Sequence, residues 1–166
     1  MIVHRTGPGS KPSATVVHIM SNPTALFKVR PSTIHGLGLY ASCALTAHIC
    51  LGTYEGRRLS TAEVEAEEWN SHLTYLFELS DGTVIDGAQD GNDLRHLNHS
   101  CQPNCEAVER WGDNGLLQLD IVALRAIAEG EELFIDYALE IDEANPAELY
   151  PCTCLTAACR GTMASV

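Results

Sequence analysis

No stretch of this 166-residue chain approaches the roughly 18 consecutive apolar residues of a membrane-spanning helix, because His, Gly, Pro or Thr interrupts every long uncharged run. Positive charge is also scarce, with 10 Lys and Arg against 22 Asp and Glu and a formal net charge of -12. A surface of that sign repels phosphate, which argues against direct nucleic-acid binding, and it draws cations and basic peptides. The chain opens on no basic-then-apolar run of signal-peptide length, and its 7 cysteines are an odd number that a fully paired secreted framework cannot use up. The expectation is a soluble, intracellular protein in a reducing compartment with no membrane partner. Fixed-period repeats and low-complexity tracts are absent too, which excludes solenoids. What is present, 45% hydrophobic residues, suffices for one compact core.

Residues 1–23 hold the turn-rich strings TGPGSKPS and SNPT around a short ATVVHIM, which reads as a flexible lead-in. From Ala25 the pattern turns β-like: ALFKVR, GLGLYAS and ICLGTYEG are short apolar or alternating runs punctuated by Gly and Pro. STAEVEAEEW breaks that pattern, with Ser60 and Glu63 spaced as a capping box ahead of a helix of two or three turns. TYLFELSDGTVIDG returns to strand character, with a hairpin turn at Asp81 and Gly82. A second hairpin is expected around GDNG, where Asn114 and Gly115 tolerate positive φ. These readings make the chain mainly β, a β-rich α+β domain with one or two short helices.

The string LRHLNHSCQPNC at 94–105 packs two His, two Asn, two Cys and a Pro into one turn-rich segment. A metal site, a ligand pocket lined by amides and imidazoles, and a polar loop tying down its own backbone all fit that composition. Alone, Gly36-x-Gly38 is an ordinary strand turn and GEEL an ordinary acidic surface turn. In order along the chain, however, HGLGLYA at 35–41, YEG at 54–56, LRHLNHSCQPN at 94–104 and GEELFIDY at 130–137 resemble the signature of the SET-domain family of protein-lysine methyltransferases. CTCLTAACRG at 152–161 is similar to the cysteine tail, called post-SET, that follows the core in that family.

The resemblance implies a SET-type fold of several short curved sheets with a C-terminal pseudoknot, over about 24–140, and a zinc-binding tail over 148–164. It implies S-adenosylmethionine as cofactor and a lysine in a basic, histone-like segment as substrate, a partner that suits the acidic surface. By the same resemblance the site of action is the nucleus or chromatin for a eukaryotic or host-delivered protein, and otherwise the cytoplasm. Tyr137 matches the catalytic tyrosine and Tyr75 an aromatic of the lysine channel, with strand packing as the duller alternative for each. His35, Gly36, Leu37, Gly38, Tyr54, Arg95, Asn98, His99 and Tyr137 fall at cofactor-binding positions, and Leu155 is placed to cover the adenine. Cys152, Cys154 and Cys159 supply three ligands of a closed zinc site, with Cys101 as the fourth and Cys105 as the alternative. Cys43 and Cys50 read as small buried residues. Two departures stand out: Ile135 replaces an aromatic two residues before the catalytic tyrosine, and Leu155 stands where glycine is usual. The residues leave the oligomeric state and the number of methyl groups transferred open.

Overall fold

Short strands joined by Gly- and Asp-containing turns build three small sheets. The computed structural model describes residues 2–3, 25–67, 75–143 and 145–165. One sheet has the order β1-β6-β7-β5, from Ile2–Val3, Leu76–Glu78, Thr83–Asp86 and Arg57–Ser60. The second runs β4-β10-β9, from Cys50–Thr53, Leu117–Ala123 and Cys105–Trp111. The third runs β2-β3-β11-β8, from Phe27–Pro31, Leu37–Ala41, Glu132–Ile135 and Asn98–His99. This is the β-rich architecture expected. Of the proposed lead-in over 1–23, only Ile2–Val3 is described, as β1 pairing in parallel with β6; the rest lies outside the described residues.

The hairpins form where the turn residues stand. Gly82 takes φ +80° between β6 and β7, while the Asp81 carboxylate accepts from Thr83 N at 2.9 Å. In the β9–β10 turn Gly115 alone carries the positive φ, at +76°, whereas Asn114 contributes its side chain, accepting from Leu116 N at 3.1 Å. The expected helix is α1, Thr61–Ala66, and both halves of the Ser60–Glu63 capping box are formed. It is shorter than the two or three turns anticipated, because none of its residues is buried and only Val64 touches an apolar cluster. Without an apolar face there is little to extend it.

Alternation along β10 shows how the core is made. Leu117, Leu119, Ile121 and Ala123 are buried while Gln118, Asp120 and Val122 take the other face. With Leu39, Leu133 and Ile135 from the third sheet they form the main core, each fully buried aliphatic side chain contributing about 1.5–3 kcal/mol. That core fixes β11 between β3 and β8. The β8–β11 pairing is parallel, with Phe134 opposite Asn98 and Ile135 opposite His99, and it lays the asparagine-rich loop beside the strand leading to Tyr137. Farther on, Leu139 N donates to Met163 O and Ser165 N to Leu139 O, so the cysteine tail packs on the chain just past β11.

Candidate active site and thiol cluster

The polar segment at 94–105 combines features of all three readings, with backbone ties from its asparagines, residues on a cavity wall and one thiol of a cysteine cluster. Its buried asparagines tie down backbone: Asn104 Nδ2 donates to Glu132 O at 2.7 Å, and its Oδ1 accepts from Phe134 N at 2.8 Å. Asn98 Nδ2 lies 3.2 Å from His35 O, 3.0 Å from Leu37 O and 3.0 Å from Glu132 Oε1, so two N–H bonds are shared among three acceptors. The amide thereby clamps the 35–37 loop onto β11. Gly36 needs its residue type there, with φ +49°, and a Cβ on Gly38 would collide with the Glu132 carboxylate.

Beside this clamp opens a cavity of about 440 Å³, a volume within the usual range for small-molecule sites. His35, Gly36 and Leu37 line it from the loop, and Arg95, Asn98 and His99 from the asparagine-rich segment. Tyr54, Tyr75 and Tyr137 add three phenols, and Ile135 stands among them as a buried aliphatic. Gly38 and Leu155 do not line it, and Leu155 is 86% exposed at φ +58°. Phe77, His96 and Met163 line it too, although none of them was named as a site residue from the sequence.

The phenols are held rigidly. Tyr137 Oη donates to Leu97 O at 2.7 Å, and Tyr54 Oη to Tyr75 O at 2.8 Å with its ring edge-on to Phe77. Burial pushes both phenols above their ordinary range, the neighbouring tyrosines adding to it, so both stay neutral at physiological pH. His99 is buried, and burial drives its imidazole down to about 4, against the pull of Asp136. Its Nδ1 accepts from Tyr137 N at 3.1 Å, which leaves Nε2–H to face Cys101 Sγ at 3.4 Å. The approach of Asp136 Oδ1 to Nδ1 at 3.4 Å is therefore no ion pair.

One cysteine of the loop and the three of the tail converge. Cys101, Cys152, Cys154 and Cys159 place their sulfurs within 4.8 Å of one another, and the Cys101 and Cys152 sulfurs are 3.6 Å apart. A tetrahedral zinc site with Zn–S near 2.3 Å has sulfurs about 3.8 Å apart, so the set fits that ion after small adjustments. Burial opposes ionisation of Cys154, yet hydrogen bonds from Thr156 and the main chain outweigh it and bring the thiol to about 5. Cys105 is elsewhere, fully buried in β9, where burial raises its thiol to about 12. Cys152 also lines the cavity, so cluster and cavity share a wall.

Three charged residues of the site lie inside the quoted strings but were given no role from the sequence. Glu132 accepts from Tyr40 Oη at 2.8 Å as well as from Asn98; Asp136 receives both terminal nitrogens of Arg160 at 2.7 Å. In the sequence Glu132 belongs to a common acidic turn and Arg160 to the cysteine tail; the pairing of β11 with β3 and β8 brings Glu132 to its partners, and the fold of the tail brings Arg160 to Asp136.

Among the described residues, three small sheets, a cavity walled by apolar side chains with a few polar groups, and a four-thiol cluster at its edge are the features the fold presents. A model of the SET domain matches residues 36–138, and the chain belongs to that family. Among curated proteins it is 48% identical over 89 residues to histone-lysine N-methyltransferase ash1 of Drosophila melanogaster, covering 54% of this chain and 4% of that protein. It is 41% identical over 143 residues to an H3 lysine-4 specific histone-lysine N-methyltransferase of Neurospora crassa, covering 81% of this chain and 10% of that protein. The corresponding enzyme of Saccharomyces cerevisiae is 37% identical over 137 residues, 78% of this chain and 12% of that protein. The chain thus spans between 4% and 12% of these relatives' length. No helix among the described residues is long and apolar enough to cross a membrane.

Proposed function

We propose that this domain is an S-adenosylmethionine-dependent protein-lysine N-methyltransferase acting on a basic, histone-type segment, and hence at chromatin. The observation that carries the reading is the meeting of Tyr137, Asn98 and the 35–37 loop on one cavity, walled in turn by a tail cysteine. The names of the relatives support the substrate class, and the net charge of -12 supports attraction of a Lys- and Arg-rich segment.

When bound, S-adenosylmethionine supplies a methyl group on a positively charged sulfur, which a neutral amine takes by in-line displacement. The chain's own task is to align, to exclude water and to accept a neutral amine. Free lysine has a pKa near 10.4, so at pH 7 its neutral form lies roughly 4 to 5 kcal/mol uphill. The apolar wall of Leu94, Leu97, Phe77 and Ile135 disfavours the ammonium and lowers that cost. Tyr137 spends its proton on Leu97 O, which leaves oxygen lone pairs to accept from the amine N–H and fix its line of approach. Because the phenol is neutral and pushed away from ionisation, it orients the amine, and the proton departs to water. The main chain at His35–Leu37, held by Asn98, offers carbonyls and amides to the cofactor's amino-acid end, and Arg95 offers a cation. Cys101, Cys152, Cys154 and Cys159 would hold one structural zinc ion that joins loop to tail.

Transfer of radiolabelled methyl groups to core histones, beside an acidic control protein, tests the reading. Absence of transfer with cofactor binding intact favours a peptide-binding module; absence of both favours a zinc-stabilised interaction domain.

A further inference from the structure

Arg160 directly follows the last cluster cysteine, and its contacts run in two directions. Its main-chain N–H donates to Cys101 Sγ at 3.3 Å, while Nη1 and Nη2 each reach an Asp136 oxygen at 2.7 Å. The guanidinium is 25% exposed and Asp136 21%, so the fork is half-buried rather than a free surface pair. Its Nε is enclosed with no acceptor, and Arg160 interacts electrostatically with Cys101 and Cys152.

Asp136 passes the restraint on. The same Oδ1 that Arg160 holds also accepts from Ala138 N at 3.1 Å, and Ala138 takes φ +44°, a left-handed conformation that an alanine keeps only when its surroundings enforce it. Between these two residues stands Tyr137, whose own N–H is bound by His99. The backbone on both sides of the phenol-bearing residue is therefore fixed through one carboxylate. That carboxylate is gripped by a residue whose position is set by the thiol cluster.

We propose that Arg160 is a positioning residue that makes the placement of Tyr137 depend on assembly of the four-thiol cluster. The inference rests on the methyltransferase reading and goes beyond it by giving the tail a role in setting the phenol. A fork of two parallel bonds transmits orientation, which a single ammonium contact cannot reproduce. Cluster assembly then acts on turnover without any cluster residue touching the amine.

The test compares Arg160→Lys, Asp136→Asn and the double variant, with Arg110→Lys as a control at the unrelated Arg110–Asp120 pair. Four quantities are read on the zinc-loaded full chain: kcat and KM on a histone peptide, bound zinc, and amide exchange at Tyr137 and Ala138. Arg160→Lys is expected to keep its zinc and its KM, lower kcat about tenfold or more, and speed exchange at Tyr137 and Ala138 selectively. The double variant should lose no more than the worse single one, because both act through one contact. Wild-type kcat with unchanged exchange in Arg160→Lys, or losses that add in the double variant, would overturn the proposal. Should the unmodified domain transfer no methyl at all, the functional reading fails, while the exchange measurement still decides whether Arg160 restrains Tyr137.

Discussion

The hydroxyl of Tyr137 donates to the carbonyl of Leu97 at 2.7 Å, joining the end of the third sheet to the turn that precedes Asn98. The bond settles the direction of the phenol's proton and hence which lone pairs face the cavity. Removing the oxygen removes that alignment while leaving the ring. Tyr137→Phe is expected to lower kcat on the order of 10²-fold with little change in cofactor affinity. Single-turnover methyl transfer and cofactor calorimetry measure the two effects; an unchanged rate would take Tyr137 out of the mechanism.

The pH profile follows from the same phenols. Burial raises both Tyr137 and Tyr54, so neither ionises within the working range. The only proton that must leave is the substrate's, and its loss becomes easier as pH rises. Accordingly kcat should climb about tenfold per pH unit below the bound amine's pKa and then level, with no fall from an enzymic tyrosine. A descending limb between pH 7 and 9 that vanishes in Tyr137→Phe would contradict this.

How much of this arrangement was legible beforehand differs from element to element. Turns and caps were readable because their chemistry is local: Ser60 and Glu63 are three residues apart, and Gly82 and Gly115 sit where positive φ is needed. The cavity residues could be named only through resemblance, since nothing in the periodicity of HGLGLYA or FIDY reveals that β3, β8 and β11 adjoin. Glu132, Asp136 and Arg160 stayed hidden for the same reason, their partners lying 24 to 92 positions away. Leu155, named through the same resemblance, is 86% exposed at φ +58°.

Metal removal should be felt in the tail first. Cys154→Ser takes away the sulfur whose thiol is lowest, and chelation takes away the ion itself. Each is expected to release about one zinc per chain, lower the melting temperature, and abolish turnover while strands β9 and β10 persist. Metal analysis with thermal melts monitored by circular dichroism follows all three. Full activity in a zinc-free preparation would exclude a structural ion here.

On the methyltransferase reading, Ile135 bounds the room around the transferred methyl groups. It is 2% exposed and lines the cavity beside Tyr137, with no hydroxyl to retain a water. Ile135→Tyr adds volume and a polar group at that wall, so the distribution of products should shift toward the monomethyl form, with the first methylation slowed less than the second. Mass spectra of a reacted peptide over time give the distribution; an unaltered one would mean that Ile135 does not bound the space.

The bond from Tyr40 to Glu132 spans 92 positions, and the β3–β11 pairing that carries it closes a loop of more than half the chain. Contacts so distant form late, because the entropy of closing the loop is lost before any pairing compensates it. During synthesis the hairpins can mature while the cavity lacks the wall that Ile135 supplies, since β11 has yet to emerge. On the proposed reading the domain gains its ligand site only once residues 132–165 have joined it, and refolding should regain hairpin structure well before the capacity to bind ligand.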